Sequence, residues 1–117
     1  MSAPTPLPTV GHPLPRAGDA RMTPEKLKWI LGDHGHGREW ARVFRIADED
    51  SGRLWSAIAH AALEAPIFRV IDRGSYGVVC GVAFPLTLGT RTAIVITSWH
   101  YADAGDAPRP VTAYPTL

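Results

Sequence analysis

A single cysteine, Cys80, stands in the whole sequence. That excludes a disulfide framework, and its place in the most apolar stretch predicts a buried, inert thiol. Net charge is nearly absent too, at +1 over 117 residues, whereas nonspecific nucleic-acid binders carry a broad basic excess that recruits phosphates through counterion release. Any site for RNA must therefore be local. No run approaches about 18 apolar residues and the N-terminus lacks the basic-then-apolar form of a signal peptide, so the expectation is a soluble chain with no membrane partner and no export signal of its own. Glycine loops of the P-loop or dinucleotide type are missing, no serine or cysteine stands in a nucleophile setting beside a base, and there is no internal repeat. At this length one domain with a single core is expected.

What the chain does have begins with proline. Pro4, Pro6, Pro8, Pro13 and Pro15 crowd residues 1 to 20, a density that excludes helix and predicts an extended leader or linker ahead of a single domain over residues 21 to 117. A first helix starts at Thr23-Pro24-Glu25-Lys26, where Thr23 caps, Pro24 suits the first turn and Glu25 favours the dipole. It is expected to end at Gly32 in a left-handed conformation. The polar loop Asp33-His34-Gly35-His36-Gly37 leads into a second helix, Arg38 to Ala47, with Arg38, Arg42 and Arg45 in one stripe and Trp40, Ala41 and Phe44 roughly opposite. After the acidic loop Asp48 to Gly52, a third helix is predicted from Arg53 to Glu64, its apolar face formed by Leu54, Trp55, Ile58, Ala59, Ala62 and Leu63. Trp29, Trp40 and Trp55 are assigned to the core, and His12 and His60 to the surface.

From Ile67 onward the periodicity changes to two, and the segments read as an antiparallel meander. Strands are expected at Ile67 to Ile71, Tyr76 to Phe84 with Pro85 ending it, Arg91 to Trp99, and Val111 to Tyr114. In the third, Ala93, Val95 and Thr97 share one face and Thr92, Ile94, Ile96 and Ser98 the other. Helices first and strands afterwards make an α+β fold, N-terminal helices packed on a roughly four-stranded antiparallel sheet. Thr112 and Tyr114 share one face of the last strand, looking away from the core or into a cleft.

The candidate site gathers His34 and His36, the arginines Arg38 and Arg42, the strand end Trp99-His100-Tyr101, and Arg109 with Thr112 and Tyr114. Imidazoles move protons near neutral pH, guanidiniums hold phosphates with paired hydrogen bonds, and hydroxyls orient or donate. Together these groups suit RNA cleavage without metal or cofactor. A histidine takes the 2′-hydroxyl proton, the oxygen attacks phosphorus, arginine stabilises the phosphorane, and a second histidine or Tyr114 protonates the leaving oxygen. The plainer alternatives are a solvated arginine face, a glycine loop without a role, and an outer strand face in which Tyr114 covers apolar surface. A zinc site from His34, His36 and His100 matches none of the common spacings.

Met22-Thr23-Pro24-Glu25-Lys26-Leu27, then Gly37-Arg38 with Ala41 and Phe44, then Gly74-Ser75-Tyr76-Gly77-Val78, and finally Arg109-Pro110-Val111-Thr112-Ala113-Tyr114-Pro115 resemble a bacterial family of small domains of unassigned function, found at the ends of larger secreted or phage-associated proteins. The segment Val111 to Pro115 is also similar to the closing strand of the barnase/EndoU/colicin/RelE-like ribonuclease toxins. That resemblance implies helices followed by a four-stranded antiparallel sheet, with Thr112, Tyr114 and Arg38 or Arg42 in the cleft. His36-Gly37 offers a version of the histidine pair of such toxins without the preceding lysine, which leaves the general base open between His36 and His100. It implies RNA as substrate, tRNA among the candidates, and an inhibitor or immunity protein as partner. The site of action would be the cytoplasm, with delivery as part of a secreted system. The rival expectation is a non-enzymatic interaction module, either a phage or secretion-system adaptor or an antidote protein. The edge strand Val111 to Tyr114 leaves the oligomeric state open.

Overall fold

The computed structural model of the chain describes residues 7–32, 35–46 and 50–116. Asp33, His34 and Ala47 to Glu49 lie outside them. Three helices, α1 (Pro24–Leu31), α2 (Gly37–Phe44) and α3 (Ser51–Ala62), precede four strands, β1 (Ile67–Asp72), β2 (Val78–Leu88), β3 (Arg91–Tyr101) and β4 (Arg109–Pro115). The strands pair in sequence order, all antiparallel, so the expected α+β meander is the observed one. None of the described helices is long and apolar enough to cross a membrane.

The alternation of β2 and β3 sorts the sheet into two faces. Cys80, Val82, Phe84, Leu86 and Leu88 of β2 and Val95, Thr97, Trp99 and Tyr101 of β3 are buried on the face that meets the helices, with Leu54 and Ile58 of α3 and Trp40 and Phe44 of α2 against them. Burying large side chains of this kind stabilises by roughly 1.5–3 kcal/mol each. One polar group is sunk in this core and fully satisfied. The Thr97 hydroxyl donates to the Val82 carbonyl at 2.9 Å and accepts from the Trp99 indole N–H at 2.7 Å. Cys80 is fully buried, and burial pushes its thiol up to about 11.

Several boundaries move, each for a local reason. β2 does not end at Pro85 but runs through it to Leu88, pairing with β3 as far as Arg91. Val82 is the last β2 residue to meet β1, so at Pro85 the ladder has only one partner and proline leaves no bond unmade on the open side. Tyr76, expected in β2, belongs to the 3-10 turn Gly74–Tyr76 instead. α2 stops at Phe44 because Arg45 takes a left-handed conformation, φ 58°, which removes Arg45 from the arginine stripe. Gly32 is extended, not left-handed. Trp29 is 42% exposed, outside the core, with the Lys26 ammonium 5.0 Å from its ring.

The largest difference is in the proline-rich N-terminus. From Thr9 onward it forms a strap on the domain, not a linker. The Gly11 N–H donates to the Ile67 carbonyl at 2.8 Å and the Ile67 N–H to the His12 carbonyl at 2.9 Å, so proline-flanked chain still completes the start of β1. Leu14 is buried in the core, and the Pro15 carbonyl accepts the Tyr101 hydroxyl at 2.6 Å. Arg16 reaches the Gly105 carbonyl at 2.6 Å and pairs with Asp19 at 3.1 Å. Among the described residues of this stretch the expected exclusion of helix fails at one place, a 3-10 turn at Ala17–Asp19 past the last proline, and the extended part before it is paired.

At the other edge, β4 is covered. α1 and α2 lie against it, and the Trp40 indole N–H donates to the Ala113 carbonyl at 3.0 Å. A main-chain acceptor that an edge strand would show to solvent is thereby occupied.

Candidate functional site

The opposite face of the sheet carries the candidate site. Its β3 and β4 residues stand in three register pairs, Ile96 with Tyr114, Ser98 with Thr112, and His100 with Arg109. A shift in register between Ser98 and Trp99 returns Arg109 to this face, where directly opposed side chains have Cβ atoms about 4.5–5.5 Å apart. His100 and Arg109 are thus neighbours by construction of the ladder.

His100 is also oriented. Its Nε2 is hydrogen-bonded to the Tyr76 carbonyl. A carbonyl only accepts, so Nε2 carries the proton, and in the neutral ring Nδ1 is left as the acceptor. The turn that presents this carbonyl is itself fixed. The Asp72 carboxylate accepts the Gly74 N–H at 2.8 Å, and the Arg73 N–H donates to the Gly77 carbonyl at 2.8 Å.

Around this pair lies an open groove of about 630 Å³ on the sheet face. Lys26, Arg69, Arg73 and Arg109 line it with His100, Ser98 and Tyr76, and no carboxylate does. A third of the chain's twelve lysines and arginines, against a net charge of +1, therefore meet at one place. Clefts of one sign focus the field and draw in counter-charged ligands. The cations come from four separate elements: α1 supplies Lys26, β1 supplies Arg69, the following turn Arg73, and β4 Arg109.

A second cluster sits farther along the same strands. The His36 and Tyr114 rings are 4.6 Å apart, tilted by 37°, and the Glu39 carboxylate is 3.8 Å from His36 Nδ1. The main chain at His36 is tightly fixed. Its N–H donates to the Ile30 carbonyl at 3.1 Å, and Gly37 lies so close to the end of α1 that an added Cβ would overlap the Leu31 carbonyl. Gly35 and Gly37 thus serve close packing against the end of α1. Thr112, between the clusters, has a buried Oγ1 with no hydrogen-bond partner among the described residues.

The structure thus divides the expected site. His100 and Arg109 come together in the groove, and His36 and Tyr114 come together elsewhere. The Ile96 and His100 rows are four residues apart on β3, roughly 13 Å along the strand, so the Tyr114 row that His36 meets is distinct from the row of His100. Arg38 and Arg42 are exposed on α2 and neither lines the groove. Among the described residues no group of three or more His, Cys, Asp or Glu is placed to hold a metal ion.

Lys26, Arg69, Arg73 and Tyr76 were not legible as site residues. Simple alternation set Arg69 against Phe68, but the register shifts between Ile67 and Arg69. Phe68 folds over Gly81, where an added Cβ would meet its ring at 2.8 Å, and Arg69 faces the groove. A bulge of this kind leaves no mark in the hydrophobic pattern. No family model, no curated protein and no solved structure matches the chain, so the functional reading stands on this geometry and its chemistry.

Proposed function

We propose that this protein is a metal-independent endoribonuclease of bacterial toxin type, working on the outer face of its sheet. The observation that carries the reading is the cationic groove in which an oriented imidazole, His100, stands across the ladder from a guanidinium, Arg109. Nδ1 of His100 takes the proton of a ribose 2′-hydroxyl, and that oxygen attacks the adjacent phosphorus. The bond from phosphorus to the 5′-oxygen breaks, leaving a 2′,3′-cyclic phosphate, and the departing oxygen takes a proton from the Lys26 ammonium or from water. Arg109 and Arg73 hold the equatorial oxygens, where negative charge grows in the transition state. His36, Tyr114 and Thr112 bind the same strand farther along β4 and are not the acid and base of the cut bond.

An enzyme of this kind acting in a cytoplasm needs restraint. An inhibitor protein with an acidic surface over the groove is the matching partner, and delivery through a secreted system is the matching route. Purified protein incubated with total RNA and with tRNA in excess EDTA should leave cyclic-phosphate ends, and the His100→Gln protein should leave at least about a hundredfold fewer. Intact RNA after incubation with folded wild-type protein would sink the enzymatic reading.

One observation favours a second reading, a non-enzymatic interaction module. Val43, Ala93 and Ile94 line an apolar hollow of about 450 Å³ at the other end of the sheet, with Ile94 45% exposed. Under that reading, Ile94→Asp abolishes capture of a partner while any RNA chemistry is unaffected.

A further inference from the structure

No other large hydrophobic side chain among the described residues is as exposed as Tyr76, at 78%. Its main chain, by contrast, is pinned throughout. The Tyr76 N–H donates to the Arg73 carbonyl at 3.2 Å, the Gly77 N–H to the Gly74 carbonyl at 3.0 Å, and the Tyr76 carbonyl accepts from His100. Gly77 sits at φ 92° so close to β3 that an added Cβ would overlap the Tyr101 carbonyl. A rigid turn therefore holds an uncovered ring at the wall of the cationic groove.

The contrast with Phe68 is informative. That ring is 46% exposed on the same face, but it lies on Gly81, and the Arg69 guanidinium stands 5.9 Å from its centre. The fold seats one aromatic ring on a glycine and leaves the other open to solvent.

We infer that the groove takes single-stranded RNA, with one unpaired base stacked on the Tyr76 ring and the neighbouring phosphates held by Arg73 and Arg109. An aromatic face beside a run of cations is the combination that binds single strands, because every base has a π-face and every nucleotide a phosphate. A duplex has its bases stacked on one another and offers none to the ring, so the same combination discriminates against it. Tyr76 also works from both ends: its ring seats the base and its carbonyl orients His100, which places the bound nucleotide beside the imidazole through one residue. The inference rests on the ribonuclease reading of the same groove and adds the class of substrate.

The test uses a His100→Gln protein, whose side-chain amide can still donate to the Tyr76 carbonyl, so that bound RNA is not cut. A labelled single-stranded 12-mer RNA and the blunt duplex of the same sequence are titrated by fluorescence anisotropy. The single strand should bind at least about tenfold tighter. Adding Tyr76→Ala should weaken single-strand binding by about 5- to 100-fold and leave the duplex within about twofold, and Tyr76→Trp should restore the single strand. Because the ring is exposed, these variants keep the fold. Single-strand binding unchanged by Tyr76→Ala, or equal affinity for the duplex, overturns the inference and leaves a phosphate-binding groove only. Binding of neither RNA by the folded protein overturns it as well. Tyr76-dependent binding by a wild-type protein that cuts nothing leaves this inference standing and removes the ribonuclease reading instead.

Discussion

His100 and Arg109 stand directly opposite each other across the β3–β4 ladder, the imidazole held by the Tyr76 carbonyl and the guanidinium free to meet an anion in the groove. Their proximity is a property of the strand register and does not depend on a loop closing. A phosphate bound by Arg109 is therefore delivered to the side of the groove that His100 occupies. Cleavage by His100→Gln should fall by about 10²- to 10⁴-fold, the range for loss of a general base. Arg109→Ala should raise KM and lower kcat together. Arg38→Ala and Arg42→Ala, on the exposed side of α2, should stay within about twofold of wild type. Steady-state kinetics on one RNA decides the matter, and a large loss in Arg42→Ala would move the active site to α2.

Binding in this groove should be strongly salt-dependent. If three or four cations each neutralise a phosphate of a single strand, the plot of log K against log salt has a slope of roughly −2 to −3. Raising salt from 50 to 200 mM then weakens binding by about 20- to 50-fold, and Arg69→Ala should make the slope shallower by about 0.7. Anisotropy titrations at four salt concentrations measure both. A flat salt response would show that the groove does not hold phosphates.

The fold was legible in the sequence because its signals are local and repeat. Periods of 3.6 and then 2 separate helices from strands, and the buried row Cys80, Val82, Phe84, Leu86 and Leu88 carries the alternation past a proline that seemed to end it. The site was only half legible. His100 and Arg109 are visible as residue types at strand ends, but what brings them opposite each other is the shift between Ser98 and Trp99, a main-chain irregularity that residue identity does not encode. Arg69 was hidden by the corresponding shift in β1. The strap was misread for a different reason. Proline content reports that a segment is extended, whereas Leu14 reports that it is buried, and a single leucine among prolines is a weak pattern.

That strap should contribute to stability well beyond a linker's share. Leu14→Ala removes a buried leucine at the seam between the strap and the sheet and should cost about 2–5 kcal/mol. Tyr101→Phe removes the hydrogen bond to the Pro15 carbonyl and should cost about 0.5–1.5 kcal/mol. Urea denaturation of the two variants gives both numbers. Wild-type stability in Leu14→Ala would return the segment to the status of a linker.

Alkaline pH should destabilise the fold before any site residue is considered. Burial holds the Cys80 thiol up at about 11 and raises the Tyr101 hydroxyl further, with Cys80 adding to the Tyr101 shift. In the unfolded chain an ordinary thiol loses its proton near 8.5. The folded state therefore holds protons that the unfolded state has released, so the stabilisation is complete below about pH 8.5 and falls as pH rises toward 11. Cys80 alone should account for about 3 kcal/mol over that interval, and Cys80→Ala should flatten the profile there. Native protein should also resist thiol reagents near neutral pH and react once unfolded. Rapid labelling of the native protein would contradict the burial.

The buried hydroxyl of Thr97 should matter more than its size suggests. It accepts from the Trp99 indole at 2.7 Å and donates to the Val82 carbonyl at 2.9 Å, so one atom satisfies a ring N–H that is buried from solvent. Thr97→Val keeps shape and volume but leaves that N–H unpaired, a cost of about 1–3 kcal/mol, equivalent to a fall in Tm of roughly 3–15 °C for a domain of this size. Thr97→Ser keeps the hydroxyl and gives up only a methyl, so it should be the milder change despite being the less isosteric one. If the order is reversed in thermal melts, packing at this position outweighs the hydrogen bond. Because Trp99 immediately precedes His100, the two variants should also separate in RNA cleavage. With the indole no longer held, Thr97→Val should lower kcat, and Thr97→Ser should leave it near wild type.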